Sequence, residues 1–255
     1  MIVRAAGSSQ LLITQPDHAA LSARIMREWY AGGFPDASRR SSILLAIEEH
    51  DNGWREVDAA PVLDEATGRI HDFVSAPDAA KRELWPRGVE RLAATPYSAA
   101  LVAHHAVHVY RHKRGEAEWD SFFKEMEALR NHHLRAARLE MNDLLGDYVF
   151  VRLGDLASLT FCNGWTEQQV DDVGYAIRCD GPRLTIAPDP FEGREIAIEV
   201  SARELPNRPF RSASEAQAVF GAAPATTLRG MAIGGRSNPS NPSNPSNPLE
   251  PPIPS

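Results

Sequence analysis

Cysteine is nearly absent from this 255-residue chain, which contains only Cys162 and Cys179. Neither stands in the Cys-x-x-Cys spacing of zinc ribbons and redox motifs, and two residues cannot supply a disulfide framework. We therefore expect two reduced thiols, as in a cytoplasmic protein. We do not expect a structural zinc site, because such sites are usually rich in cysteine.

Long apolar runs are missing as well. No stretch approaches the ~20 consecutive apolar residues that span a bilayer. Residues 1–18 contain no apolar segment of the length found in signal peptides. These absences predict a soluble cytoplasmic protein that does not associate with a membrane.

Basic residues are outnumbered, since 27 lysines and arginines face 34 aspartates and glutamates, a formal charge of −7. Proteins that bind nucleic acids usually present a basic face to the phosphate backbone, so a nucleic-acid partner is not expected. A local basic pocket for a small molecule is compatible with this balance. The hydrophobic content of 43% is enough for a sizeable core.

Apolar residues recur with helical spacing from about residue 17 to residue 162. Asp17 is expected to cap the first helix, and Pro86 to kink the third. The pattern predicts six helices, at about residues 17–33, 38–51, 78–93, 97–115, 117–146 and 147–162.

The pattern changes after Asp171, where short alternating runs broken by Gly, Pro and Asp predict two to four β-strands. From about Ser237 a Ser-Asn-Pro triplet repeats and then becomes proline-rich, which predicts disorder. The expected fold class is mainly α. A helical domain of residues 1–165 would carry a small β-rich region of residues 166–236 and a disordered tail of residues 237–255.

The histidines are concentrated in the predicted helices, where several fall on the apolar face and a polar residue is costly unless it has a partner. Histidine and aspartate are also ligands for divalent metals. His50 and Asp51 are adjacent, and neighbouring helix positions diverge by roughly 100°. Gly53 follows closely and is expected to let the backbone bend so that both reach one ion. The nine histidines of the chain are His18, His50, His71, His104, His105, His108, His112, His132 and His133.

This ordered set resembles the HD-domain superfamily, whose members are all-helical, metal-dependent proteins and mostly phosphohydrolases. The match consists of His18, then His50-Asp51-Asn52-Gly53, then His104-His105-His108, and finally Asp155 in GDLASL. It spans residues 14–165 and implies an HD-domain-like helical bundle. The whole chain also resembles an uncharacterised bacterial family, a likeness that implies no activity.

The HD-domain resemblance implies that a divalent metal, Mn, Fe, Ni, Zn or Mg, binds to His18, His50, Asp51 and Asp155. Members with two ions add histidines from the intervening helices. We expect His105 in this role rather than His104, because it continues the apolar stripe of its helix. Further candidates are His132 and His133.

The hypothesis that follows is hydrolysis of a phosphate ester or nucleotide by a metal-activated water. Asp51 would ligate the metal and orient or deprotonate the water, and His105 would be a second metal ligand or a general acid. The expected partner is a small-molecule substrate that could carry phosphate, and a homo-oligomer is compatible with the sequence. Alternatives are a degenerate, non-enzymatic HD fold that binds a small molecule or protein, and a di-iron oxygenase with about six protein ligands.

Each candidate also has a purely structural interpretation. His18 could assist a helix cap, His50-Asp51 could form an ion pair without a metal, and Asp155 could cap a helix that begins at Leu156. A second His-Asp pair, His71-Asp72, lies in a predicted loop and is interpreted as coincidence.

Overall fold

The computed structural model describes residues 1–31, 33, 34 and 37–236. The predicted disordered tail of residues 237–255 lies outside the described residues. Seven helices of at least ten residues are present in the described part: α1 Gln15–Arg27, α2 Ala37–Glu49, α3 Asp78–Glu90, α4 Pro96–Val109, α5 Ala117–Ala137, α6 Met141–Asn163 and α7 Ala213–Ala222. The strands there are β1 Ile2–Ala6, β2 Ser9–Ile13, β3 Glu167–Val170, β4 Tyr175–Asp180, β5 Arg183–Ala187, β6 Glu195–Pro206 and β7 Ala225–Gly234.

The seven strands form one curled half-barrel sheet in the order β1-β2-β6-β7-β5-β4-β3. About 49% of the chain is helical and 21% is strand, so the expectation of a mainly α, all-helical fold is wrong and the fold is mixed α/β. The missed strands are β3, which precedes Asp171, and the hairpin β1-β2. In the hairpin Gly7 takes the positive φ of 65° that glycine adopts readily. β2 then pairs antiparallel with β6, so the two ends of the described chain meet in the same sheet.

The sheet is therefore no small appendage to a helical domain. One continuous set of buried apolar side chains runs from the helices to the strands, and includes Trp29, Phe161, Ile177 and Ile198. The predicted boundary at residue 165 follows the end of α6 at Asn163. Whether residues 1–165 form a separate domain stays a prediction.

The break between α5 and α6 lies earlier than the sequence pattern predicted. Arg138 adopts a left-handed conformation with φ 57° and ends α5. Glu140 and Asp143 then form a capping box that starts α6, each side chain accepting from the other's backbone N–H. Residues 147–162 are therefore part of one helix of 23 residues. Asp155 lies in the interior of this helix and does not cap it.

Close packing of α1, α2 and α6 brings the site residues together. A Cβ atom on Gly154 would lie 2.8 Å from Met26 Cγ on α1 and 3.3 Å from Ile47 Cγ2 on α2. The missing side chain therefore lets α6 approach both helices immediately beside Asp155. No helix among the described residues is both long and apolar enough to cross a membrane.

Candidate metal centre

Four segments of the helical layer converge on one buried cluster of imidazoles and carboxylates. Its side chains come from α1, from the end of α2, from α4 and from α6. They form two overlapping groups that could bind a metal, His18-His50-Asp51 and His50-His105-Asp155, and within each group the candidate ligand atoms lie within 4.8 Å of one another. The structure thus brings together the four side chains that the resemblance selected and His105, which the apolar stripe of its helix selected.

Asp51 owes its position to the end of α2. The helix stops at Glu49, and Asp51 has φ −106° and ψ 19°, outside ordinary helical geometry, before a short 3₁₀ turn of residues 52–54. The Asn52 side chain anchors this turn by donating from Nδ2 to the Gly88 carbonyl of α3 at 3.1 Å. Adjacent residues can therefore both point inward, as expected for a helix that ends there.

Gly53 is needed for a different reason from the one expected. It is not among the described glycines with a positive φ. A Cβ at this position would lie 2.3 Å from the Leu84 carbonyl oxygen, so the turn and α3 approach too closely for any side chain. Glycine here permits close packing, and the packing fixes the direction of Asp51.

His50 presents a nitrogen without a hydrogen-bond partner to the centre of the cluster. Its Nδ1 lies 2.7 Å from the Ile47 carbonyl, which can only accept, so Nδ1 carries the proton. Its Nε2 is buried and forms no hydrogen bond with the described residues. Asp51 Oδ2 and Asp155 Oδ1 each lie 3.4 Å from this Nε2, at ion-pair distance but without hydrogen-bond alignment.

His18 is held by groups that the sequence pattern did not single out. Its Nδ1 lies 2.7 Å from Ser158 Oγ, and its Nε2 lies 2.9 Å from Asp51 Oδ2. Gln15 donates from Nε2 to the same carboxylate oxygen at 3.1 Å. Ser158 follows Asp155 by three positions on α6, and Gln15 precedes His18 by three on α1, so helical spacing alone could have identified both.

The first helix is capped by Thr14, whose hydroxyl oxygen accepts from the Asp17 backbone N–H. The expectation that Asp17 caps this helix is therefore wrong. Because the cap lies one turn earlier, His18 is within the helix and not at its end.

His105 contributes from α4. Its Nδ1 lies 3.0 Å from the hydroxyl of the buried Tyr148, and its Nε2 lies 3.7 Å from Asp155 Oδ2. The other helical histidines fall outside the two ligand groups. His104 and His108 pack their rings against Tyr148, at centroid distances of 4.5 and 5.1 Å.

His132 and His133, on α5, also fall outside the two groups and pack against each other, with ring centroids 5.1 Å apart. The second His-Asp pair lies in the loop between α2 and α3, where His71 Nδ1 is 3.2 Å from Ser75 Oγ. Neither member of that pair belongs to a ligand group.

Residues 1–207 match the family DUF3891, described as a protein of unknown function. The chain belongs to DUF3891. No curated protein and no solved structure is significantly similar to it. The resemblance of this DUF3891 chain to the HD-domain superfamily therefore stays a hypothesis that rests on its residues.

The distances within the cluster agree with the dimensions of a metal site. Bonds of about 2.1 Å place neighbouring ligand atoms about 3.0–3.4 Å apart and opposite ones about 4.2 Å apart. The nitrogen–oxygen separations given above run from 2.9 to 3.7 Å, and His18 Nε2 lies 3.9 Å from Asp155 Oδ1. The donor set, three imidazoles and two carboxylates, suits borderline divalent metals.

Burial and charge perturb the titration of the cluster. Although burial opposes ionisation of Asp51, His50 and His18 hold the pKa of its carboxyl well below the usual range. The pKa of Asp155 is also lowered, against its burial, by contact with His50. Burial disfavours a charged His50, but the adjacent carboxylates raise its pKa well above 6.5. For His105 burial dominates and lowers the pKa to about 4.

These shifts determine how the metal-free cluster affects stability. The pKa values of Asp51 and Asp155 are lower in the folded chain than in the unfolded one. Their ionisation therefore stabilises the fold above the ordinary carboxyl pKa, and this is lost as pH falls through the lowered values. The contribution of His50 to stability has the opposite pH dependence. Its stabilising charge is fully present below pH 6.5 and is lost as pH rises through its raised pKa.

Proposed function

We propose that this DUF3891 chain is a metal-dependent hydrolase that acts on a phosphate ester or nucleotide. His18, His50, Asp51 and Asp155 would hold the first divalent ion, and His105 would complete its coordination or hold a second ion. The observation that carries the proposal is the unpartnered Nε2 of His50, which is buried between two carboxylate oxygens. In the neutral form that binds metals, His50 directs an Nε2 lone pair at those oxygens, and a cation between them would be bound by all three atoms.

A bound divalent ion would lower the pKa of a coordinated water from 15.7 towards about 7 and would polarise a phosphoryl oxygen. The side chains supply positioning around it. Gln15 and Ser158 orient Asp51 and His18 through hydrogen bonds, the arrangement that commonly supports metal ligands. Asp155 has the most exposed side chain of the five, at 16%, so a substrate would approach on its side.

The pKa directions separate the roles expected for the two catalytic candidates. Asp51 is a weak base because its pKa is strongly lowered, which favours a ligand role over proton abstraction. His105 is neutral at pH 7 because its pKa is about 4, so it suits metal ligation better than general-acid catalysis.

The phosphohydrolase assignment draws its substrate class from the HD-domain resemblance, which covers residues on α1, α2, α4 and α6. The di-iron alternative has less support, since the two ligand groups contain five different side chains and omit His132 and His133. We propose a small-molecule partner rather than a nucleic acid, in keeping with the net charge of −7.

A non-enzymatic module is the second candidate, and one observation favours it. With no metal present, a protonated His50 pairs with Asp51 and Asp155, so the cluster is electrostatically satisfied as an ion triad. Such a triad would hold α2 against α6 and need no chemistry.

Metal analysis of the purified full chain separates the two candidates. We expect about one or two equivalents of a transition metal in the wild type and near-complete loss in His50→Ala and Asp51→Ala. His71→Ala and Asp72→Ala are matched controls, because the second His-Asp pair lies outside both ligand groups and should leave metal content unchanged. Phosphoester turnover should follow metal content. The proposal is refuted if all four variants bind the same amount of metal, or if chelation leaves the phosphoester turnover of the wild type unchanged.

A further inference from the structure

A group of arginines lies beside the candidate metal centre on two facing helical segments. On α6, Tyr148, Arg152 and Asp155 are spaced by four and three residues and therefore share a stripe. On α4, His104 and His108 share a stripe that continues with the same spacing to Arg111, in the 3₁₀ turn of residues 111–113. Tyr148 connects the stripes, since its ring packs against both histidines and its hydroxyl contacts His105.

Arg111 is a half-buried cation without a counterion. Its Nη1 donates to the His108 carbonyl at 2.9 Å. No carboxylate of the described residues lies within ion-pair distance of it. Burial lowers the pKa of Arg111, and the nearby charge of Arg152 lowers it further. A guanidinium in this position loses hydration that the His108 carbonyl replaces only in part.

Arg152 and His108 add unpartnered buried nitrogens beside Arg111. Arg152 pairs through Nη2 with Asp172, but its Nε is buried and has no hydrogen-bond partner among the described residues. His108 Nε2 is likewise buried and unpartnered. Both lie near Arg111, because Arg111 donates to the His108 carbonyl and the His108 ring packs against Tyr148, one helical turn before Arg152 on α6. Burial lowers the pKa of His108 to about 3, and the charges of Arg111 and Arg152 lower it further.

These groups have the composition of an oxyanion site. Two neighbouring guanidinium groups repel each other. Here only the carboxylate of Asp172, among the described residues, pairs with either arginine, although the chain has a net charge of −7. Arginine binds phosphate oxygens through paired N–H donors, and such charge-assisted bonds are the strong ones. A bound phosphate group would compensate both charges. It would accept from Arg152 Nε, and from His108 Nε2 in the tautomer that carries its proton there.

We propose that Arg111, Arg152 and His108 form a binding site for a phosphate-class oxyanion next to the candidate metal centre. Resting on the proposed function, we assign this site to a phosphate group of the substrate. The His105–Tyr148 contact lies between the two sites, because His105 Nε2 is 3.7 Å from Asp155 Oδ2 and the Tyr148 ring packs against His108, whose carbonyl accepts from Arg111. The enzyme would then select substrates that carry a negatively charged phosphate.

Titration of the full chain with inorganic phosphate, followed by ³¹P NMR, tests this site. The titration is done after chelation, so that phosphate cannot bind through a metal. We expect saturable binding by the wild type, and binding about tenfold weaker in R111Q and in R152Q. R229Q is the matched control. Arg229 lies on β7 with a side chain that is 73% exposed, so its loss should leave binding unchanged.

Absence of saturable binding in the wild type, or the same affinity in R111Q, R152Q and R229Q, would overturn the inference. Arg111 has no ion pair to lose, so R111Q remains informative if R152Q does not fold. Metal content measured on each purified protein before chelation keeps the two proposals distinguishable. If the purified protein holds no metal but binds phosphate, the oxyanion site is supported and the hydrolase proposal is refuted. If the purified protein holds metal but does not bind phosphate after chelation, the oxyanion site is refuted and the metal centre is supported.

Discussion

Replacing Gly53 by alanine tests the packing that aims Asp51 into the cluster. The new Cβ would lie 2.3 Å from the Leu84 carbonyl oxygen, and real Cβ atoms essentially never come closer than 3.0 Å to such a group. The turn and α3 would therefore have to separate by at least about 0.7 Å. Because the clash is with backbone, no side-chain rotation can relieve it.

We expect G53A to lower the free energy of unfolding by about 1–3 kcal/mol, the usual cost of overpacking. In a chain of this size the loss corresponds to about 2–4 °C in Tm for each kcal/mol. Metal affinity should fall as well, because Asp51 stands two residues before the displaced position and ligands must be held accurately. Urea unfolding and metal titration measure the two effects.

Gly146 provides the matched control. It lies in the interior of α6, and a Cβ added there would have no atom within 4 Å, so alanine fits without displacement. G146A should raise stability by about 0.4–1 kcal/mol, because alanine restricts the unfolded chain and favours helix. If G53A unfolds at the wild-type midpoint while G146A is stabilised, the close approach of the turn to α3 does not constrain this site.

Two further predictions concern the cluster itself. After chelation, Tm should fall below about pH 4 as Asp51 and Asp155 protonate, and should fall again as pH rises and His50 loses its proton. Added metal should restore Tm mainly in the alkaline pH range, where His50 is neutral. If the Tm of the chelated protein stays constant in that range, the raised pKa of His50 is contradicted. Tyr148→Phe removes one hydrogen bond to His105 and should weaken metal binding by about 10–100-fold if His105 is a ligand. Unchanged affinity, measured by competition with a chelator, would exclude that role.

The helices could be predicted because apolar periodicity is a local property. Positions 15–27, 37–49 and 96–109 repeat apolar residues at helical spacing, and all three are helices that begin within two residues of the expected start. The first and the last end six residues earlier than expected. The predicted α5–α6 boundary is wrong because a left-handed Arg138 has no strong sequence signal. The Glu140–Asp143 capping box is the local signal that would have placed it correctly.

The sheet could not be predicted in the same way. Each strand is short, and strand pairing depends on partners distant in the chain, as when β2 pairs with β6. The two apolar runs around Gly7 and Ser8 are compatible with a hairpin, yet nothing local shows that residues 9–12 meet residues 203–206. That pairing joins the N-terminal hairpin to the later strands in one seven-stranded sheet.

The sequence alone selected the chemistry of the candidate site. The order of His18, His50-Asp51, His105 and Asp155 identified five side chains that the structure brings into two overlapping ligand groups. Only the tertiary structure determined which nitrogen of His50 faces the carboxylates and why Gly53 must be glycine. Helical spacing places Gln15 and Ser158 beside His18 and Asp155, but only the tertiary structure showed which groups they contact and where the arginines lie. The physical reason is that hydrogen bonds, burial and charge depend on distances between helices, which no local pattern encodes.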